Sequence, residues 1–163
     1  RVAAFGVPSQ RLIADQPLTP EGPNAPAEAL RLLAWALGPL LARVPRKIVF
    51  EKGSQRYTGA PVTRAPDMDI VRKGREALKP ILTKLGEAAE MNGYLASREV
   101  SLGDLAVAAH LSALDYFGEV PWADFPAIAE WYMRMKSRPS FRSLLNDRVP
   151  GQPPVSHYSD PDA

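Results

Sequence analysis

Between Leu102 and Phe117 (LGDLAVAAHLSALDYF) nearly every position is apolar. Such a run suits a buried strand, a membrane segment or a central helix, and its flanks decide among them. Ser101 and Asp104 stand three apart at its start, the spacing of a capping box. The Ser101 hydroxyl can accept from the Asp104 N–H, while the Asp104 carboxylate reaches back to the Ser101 N–H and meets the positive end of the helix dipole. Val100 and Leu105 hold the two positions of a hydrophobic staple. These signals predict a helix opening at residue 101, apolar on nearly every side and therefore surrounded by protein. At about 16 residues it falls short of the roughly 20 that span a bilayer, and Asp104, His110 and Asp115 interrupt it.

The rest of the chain is patterned around that helix. Residues 1–26 carry Pro8, Pro17, Pro20, Pro23 and Pro26, too many for a helix or a central strand. From Ala27 apolar positions recur at helical spacing, and Gly38-Pro39 should kink or break the helix near its middle. A second segment, RKIVFEKGSQRYTG, is expected to continue it to near Gly59. After a loop at 60–66, Asp67 or Asp69 can cap an amphipathic helix over roughly 68–91 that Gly93 closes. Pro126 opens a further helix at the position where proline is best tolerated, and Ser137 or Ser140 is expected to cap a short last one. No alternating strand pattern stands out. The prediction is an all-α fold: a lead-in or linker at 1–26, a helical domain at 27–148 and a Pro-rich tail at 149–163, with disordered or draped ends.

Composition narrows the chemistry. Of 163 residues none is Cys, which removes disulfides, thiolate nucleophiles and Cys-based zinc sites together and fits a cytoplasmic home. The net charge of +2 is a mild excess with the basic residues dispersed; the densest cluster is Arg43, Arg46 and Lys47. A solvated surface explains that better than a nucleic-acid patch, so neither nucleic acid nor membrane is expected as a partner. The N-terminus shows neither an initiator Met nor a signal-peptide core, as in a fragment.

Candidate chemistry is sparse. Ser101 and Asp104 are explained by capping. His110 reads as a core histidine and His157 is far from it in sequence, so no metal site is expected. Serine, histidine and aspartate are present without nucleophile-elbow spacing, and no catalytic residue is assigned. Trp35, Tyr116, Trp131 and Tyr132 read first as core. In the tail, His157 and Tyr158 have no local core to fill, which implies docking on the body or on a partner. Asp160 and Asp162 beside them suit pairing with a partner's Arg and Lys.

The arrangement resembles the C-terminal, all-helical domain of glutathione S-transferases over about residues 27–148. The shared features are the capped central helix (VSLGDLAVA), W-x-x-R at Trp131–Arg134 and R-P at Arg138-Pro139. The segments VFEKGSQRYTG, AAHLSALDYFGEVPW and DRVPGQPPVSHY are similar to an alphaproteobacterial subgroup that includes a GST-like cell-division protein binding the tubulin homologue FtsZ. The chain departs from that subgroup's tail at Pro161 and Ala163, where larger apolar residues are expected. In this family a preceding thioredoxin-like domain holds glutathione and supplies the thiol-activating residue, and residues 1–26 are too short to be it. The resemblance therefore implies a helical bundle with that domain absent or truncated and no glutathione bound by this chain alone. It also implies a homodimer or a missing N-terminal domain as partner, and a hydrophobic-substrate cleft that Trp35, Tyr116, Trp131 and Tyr132 would line. Three readings follow: a protein-binding module acting through FtsZ, the C-terminal half of a glutathione transferase, or a non-catalytic structural homologue.

Overall fold

The computed structural model describes residues 20–40, 43–53 and 65–160. Among the described residues six α-helices follow in order: α1 (Ala25–Trp35), α2 (Pro45–Lys52), α3 (Met68–Asn92), α4 (Leu102–Tyr116), α5 (Pro126–Lys136) and α6 (Pro139–Leu145). Among the described residues there is no strand, only an isolated bridge between Val149 and Gln152.

Local sequence explains where most helices begin and end. Proline stands in the first turn of α1, α2, α5 and α6, where its missing N–H leaves no bond unmade. Asp67 opens α3, its carboxylate accepting from Asp69 N–H at 3.0 Å and Ile70 N–H at 3.3 Å. Gly93, at φ +89°, closes it with an N–H bonded to Ala89 C=O. At Gly38-Pro39 the first helix passes into a π-helical turn, Ala36–Leu40, which is the expected interruption. Helix α2 ends at Lys52 with Gly53 behind it, and the expected continuation to near Gly59 lies outside the described residues. One expectation fails. Neither Ser137 nor Ser140 caps α6: Ser137 Oγ instead donates back to Met133 C=O at 2.9 Å, and Pro139 occupies the first position.

Helix α4 is the hub. Val107, Ala108, Leu111 and Leu114 are fully buried, and the helix packs against α1, α2 and α5. The crossing with α1 is close at Gly103, where an added Cβ would lie 2.8 Å from Leu32 Cγ and 2.9 Å from its Cβ. Helix α3 leans on α2 and α5 with Val71, Leu78, Leu82 and Leu85 inward and its Arg, Lys and Glu outward.

Candidate functional site

The polar pair at the start of α4 is completely inaccessible. Ser101 Oγ accepts from Asp104 N–H at 3.3 Å and donates to Asp104 Oδ2 at 2.7 Å. The same Oδ2 accepts from Ser101 N–H at 3.0 Å. Asp104 Oδ1 accepts from Leu95 N–H at 2.9 Å and from the Trp131 indole at 3.0 Å. Four donors on one buried carboxylate leave nothing for a substrate; it is a structural anchor. Val100 and Leu105 flank it, both against the core.

The four aromatic residues assigned to a cleft separate. Trp131 and Tyr132 are buried and line none of the cavities described here, Trp131 bonded to Asp104 and Tyr132 stacked on Trp122 at 4.6 Å; for these two the cleft assignment is corrected. Tyr116 lines a cavity of about 280 Å³ whose walls include Val49, Ala109, Ala113, Leu144 and Tyr158. Trp35 lines a different one of about 540 Å³, between the π-helical turn and α3, with Leu40, Pro80 and Ile81. The Tyr116 cavity has Asp147 and Arg148 at its edge and is otherwise largely apolar. Its largely apolar walls suit a small hydrophobic molecule.

The tail docks on its own body. Tyr158 is 3% exposed, edge-on to Tyr116 at 5.1 Å, with its hydroxyl 2.9 Å from Ser112 Oγ. His157 Nε2 lies 3.0 Å from Asp115 Oδ1, which also accepts from the Trp122 indole at 2.7 Å. Lys136, fully buried, donates to His157 C=O at 3.2 Å, and Val155 N–H bonds Tyr116 C=O. Residues 149–160 are therefore part of the fold. Of the two docking alternatives for His157 and Tyr158, the structure shows the chain's own body. Asp160 is exposed, and Asp162 lies outside the described residues. Burial pushes the Tyr158 and Tyr132 phenols above their ordinary range, so both stay neutral, and the Tyr158 hydroxyl bonds Ser112.

Sequence reasoning missed Glu119. Its buried side chain pairs with both Lys52 of α2 and Arg75 of α3, the second arginine nitrogen at 3.0 Å. Burial pushes this carboxyl up, but the hydrogen bonds and charges of Arg75 and Lys52 outweigh it and hold it below the ordinary glutamate range. The only local signal was an acid set between Phe117 and Val120 in an otherwise apolar loop. His110 is half-buried, and burial lowers its pKa against the opposing effect of a bond to the Ala36 backbone. Among the described residues no group of three His, Cys, Asp or Glu is placed to hold a metal ion, and no helix is long and apolar enough to cross a membrane.

This geometry has known counterparts. The profile of the glutathione S-transferase C-terminal domain matches residues 47–139. FtsZ-localized protein A of Caulobacter vibrioides (strain NA1000 / CB15N) is 44% identical over 148 residues, which are 91% of this chain and 64% of that protein. The solved structure of FzlA from C. crescentus superposes with a TM-score of 0.85 over the same shares. A glutathione S-transferase from Sinorhizobium meliloti 1021 is 40% identical, with a TM-score of 0.86 over 99% of this chain and 71% of that one. One from Rhodospirillum rubrum F11 is 34% identical, with a TM-score of 0.84 over 91% and 66%. The chain thus spans slightly less than two thirds of the length of FtsZ-localized protein A.

Proposed function

This chain belongs to the glutathione S-transferase family through its C-terminal helical domain, and from that premise we propose that it is a protein-binding module of the cytoplasmic cell-division apparatus, acting on FtsZ. The observation that carries the reading is the 44% identity and 0.85 TM-score to a protein named for its localization with FtsZ. The interior supports a binding role. Asp104 is consumed by four donors, which makes the start of α4 a rigid scaffold. Leu30 and Leu37, 62% and 58% exposed, lie seven apart on the first helix and its π-helical turn. That apolar face supports a homodimer or a preceding domain as a further partner.

A second reading rests on the Tyr116 cavity and on the Sinorhizobium and Rhodospirillum glutathione S-transferases. In it, the chain supplies the hydrophobic-substrate half of a transferase, and glutathione is bound only where a thioredoxin-like domain is present. Two assays on the purified chain separate the readings. Co-sedimentation with GTP-assembled FtsZ filaments is expected to pellet it, and conjugation of glutathione to a chloronitrobenzene acceptor is expected to stay at the uncatalysed rate. A chain that stays in the supernatant overturns the binding reading, and turnover above background establishes the enzymatic one.

A further inference from the structure

Helices α2 and α3 carry six cations along their facing stretches, and only three of them are neutralised within the described fold. Lys52 and Arg75 are taken by Glu119, and Arg72 by Asp69 at 2.9 Å. Arg46, Lys47 and Lys73 make no ion pair among the described residues, and all three are exposed. They are not scattered. Arg46 and Phe50 stand four apart on α2, and Ile70 and Lys73 three apart on α3, the spacings that put side chains on one helix face. Together these residues line a groove of about 520 Å³. Phe50 is 42% exposed in it, and Ile70 is half-buried beside it. Glu51 also lines the groove, but it is buried and accepts the Asp67 N–H at 2.9 Å, which ties that carboxylate to the cap of α3.

We propose that this groove is a docking site for a linear acidic protein segment bearing one large apolar anchor. The anchor would cover Phe50 and Ile70, removing exposed aromatic surface from water. Carboxylates on either side of it would meet Arg46, Lys47 and Lys73, whose aliphatic stems lengthen the apolar walls while their charged ends stay at the rim. One feature favours a peptide over a nucleic acid: three cations beside a concave pocket do not form the extended track that a phosphate backbone follows. A concave site also suits a chain segment better than a flat anionic bilayer. The inference goes beyond the cell-division reading, because it holds whichever protein carries the segment.

The test is fluorescence anisotropy with the full chain and a labelled synthetic peptide, Asp-Glu-Leu-Phe-Glu-Asp. Saturable binding that weakens with added salt is expected. It should weaken by about tenfold or more in Lys73→Glu and in Phe50→Ala, and when Ser-Ser replaces Leu-Phe in the peptide. Both substituted side chains are exposed, and thermal melts verify that each variant folds; should Phe50→Ala melt early, Lys73→Glu and the Ser-Ser peptide still decide. Absence of saturable binding overturns the proposal, as does equal binding by the variants or by the Ser-Ser peptide. It is also overturned if an oligonucleotide, or phosphatidylserine vesicles, bind more tightly through the same residues. FtsZ pelleting is scored separately: variants that lose the peptide yet still pellet with filaments leave the division reading intact.

Discussion

The Trp131 indole donates to Asp104 Oδ1 across 3.0 Å, tying the first turn of α4 to the middle of α5. Cap and inter-helix bond share one carboxylate. Capping alone is worth about 1–2 kcal/mol. Asp104→Ala also removes the acceptor of four buried donors, on Leu95, Ser101 and Trp131, so the expected loss is about 3–5 kcal/mol. Asp104→Asn, which keeps two acceptor sites on its amide oxygen, should lose less. Urea denaturation of the two variants beside the parent checks the order; equal midpoints for parent and alanine variant would contradict it.

Glu119 should make the fold acid-sensitive. Its folded pKa lies below its unfolded value of about 4.3, so the unfolded chain binds the proton more readily. The contribution is therefore fully present above about pH 4.3 and is lost as pH falls through the depressed folded pKa. Lys52 and Arg75 keep partial solvent contact, so Glu119→Gln should cost about 2 kcal/mol at pH 7 rather than the full penalty of a buried orphan charge. The gap between parent and variant should narrow on acidification, which denaturation at pH 7 and pH 3 would register. A gap independent of pH would refute the assignment.

Tyr158 should behave as a core residue although it stands in the proline-rich tail. Tyr158→Ala removes a buried ring packed on Tyr116, an expected loss of about 3 kcal/mol. Tyr158→Phe keeps the ring and removes the bond to Ser112, an expected loss of about 1 kcal/mol. Deleting residues 149–163 should lower the melting temperature at least as much as Tyr158→Ala; an unchanged melt would mean that the docked tail contributes nothing.

Gly103→Ala sets two effects against each other. Alanine gains roughly 1 kcal/mol of helix propensity over glycine. The new methyl group, however, would meet the Leu32 side chain at 2.8 Å, and relieving that means moving α1 or a packed rotamer, at about 1–3 kcal/mol. A net loss is expected, visible as a lower midpoint; a gain would show that α1 shifts at little cost.

What the sequence determined by itself was mostly what lies within a few residues along the chain. The Ser101–Asp104 box, the Asp67 cap, the glycine stop at Gly93 and the interruption at Gly38-Pro39 each depend on backbone geometry or on bonds spanning two to four residues. The composition around such signals suffices to read them. The apolar run after Ser101 likewise announced a central helix, because burial on every side leaves that trace in one segment. Only the tertiary structure decided which partners those residues found. Trp131 reaches Asp104 across 27 positions, Glu119 reaches Arg75 across 44, and Tyr158 reaches Ser112 across 46. The tail was undecided for the same reason. Its sequence left docking on the body or on a partner open, and Tyr158, His157 and Val155 dock against α4, a surface whose cavity and hydrogen-bonding groups exist only once the helices have packed. Tyr116 and Trp131 are both aromatic residues in apolar helices, and only the direction each faces after packing sends one to a cavity and the other to a buried carboxylate.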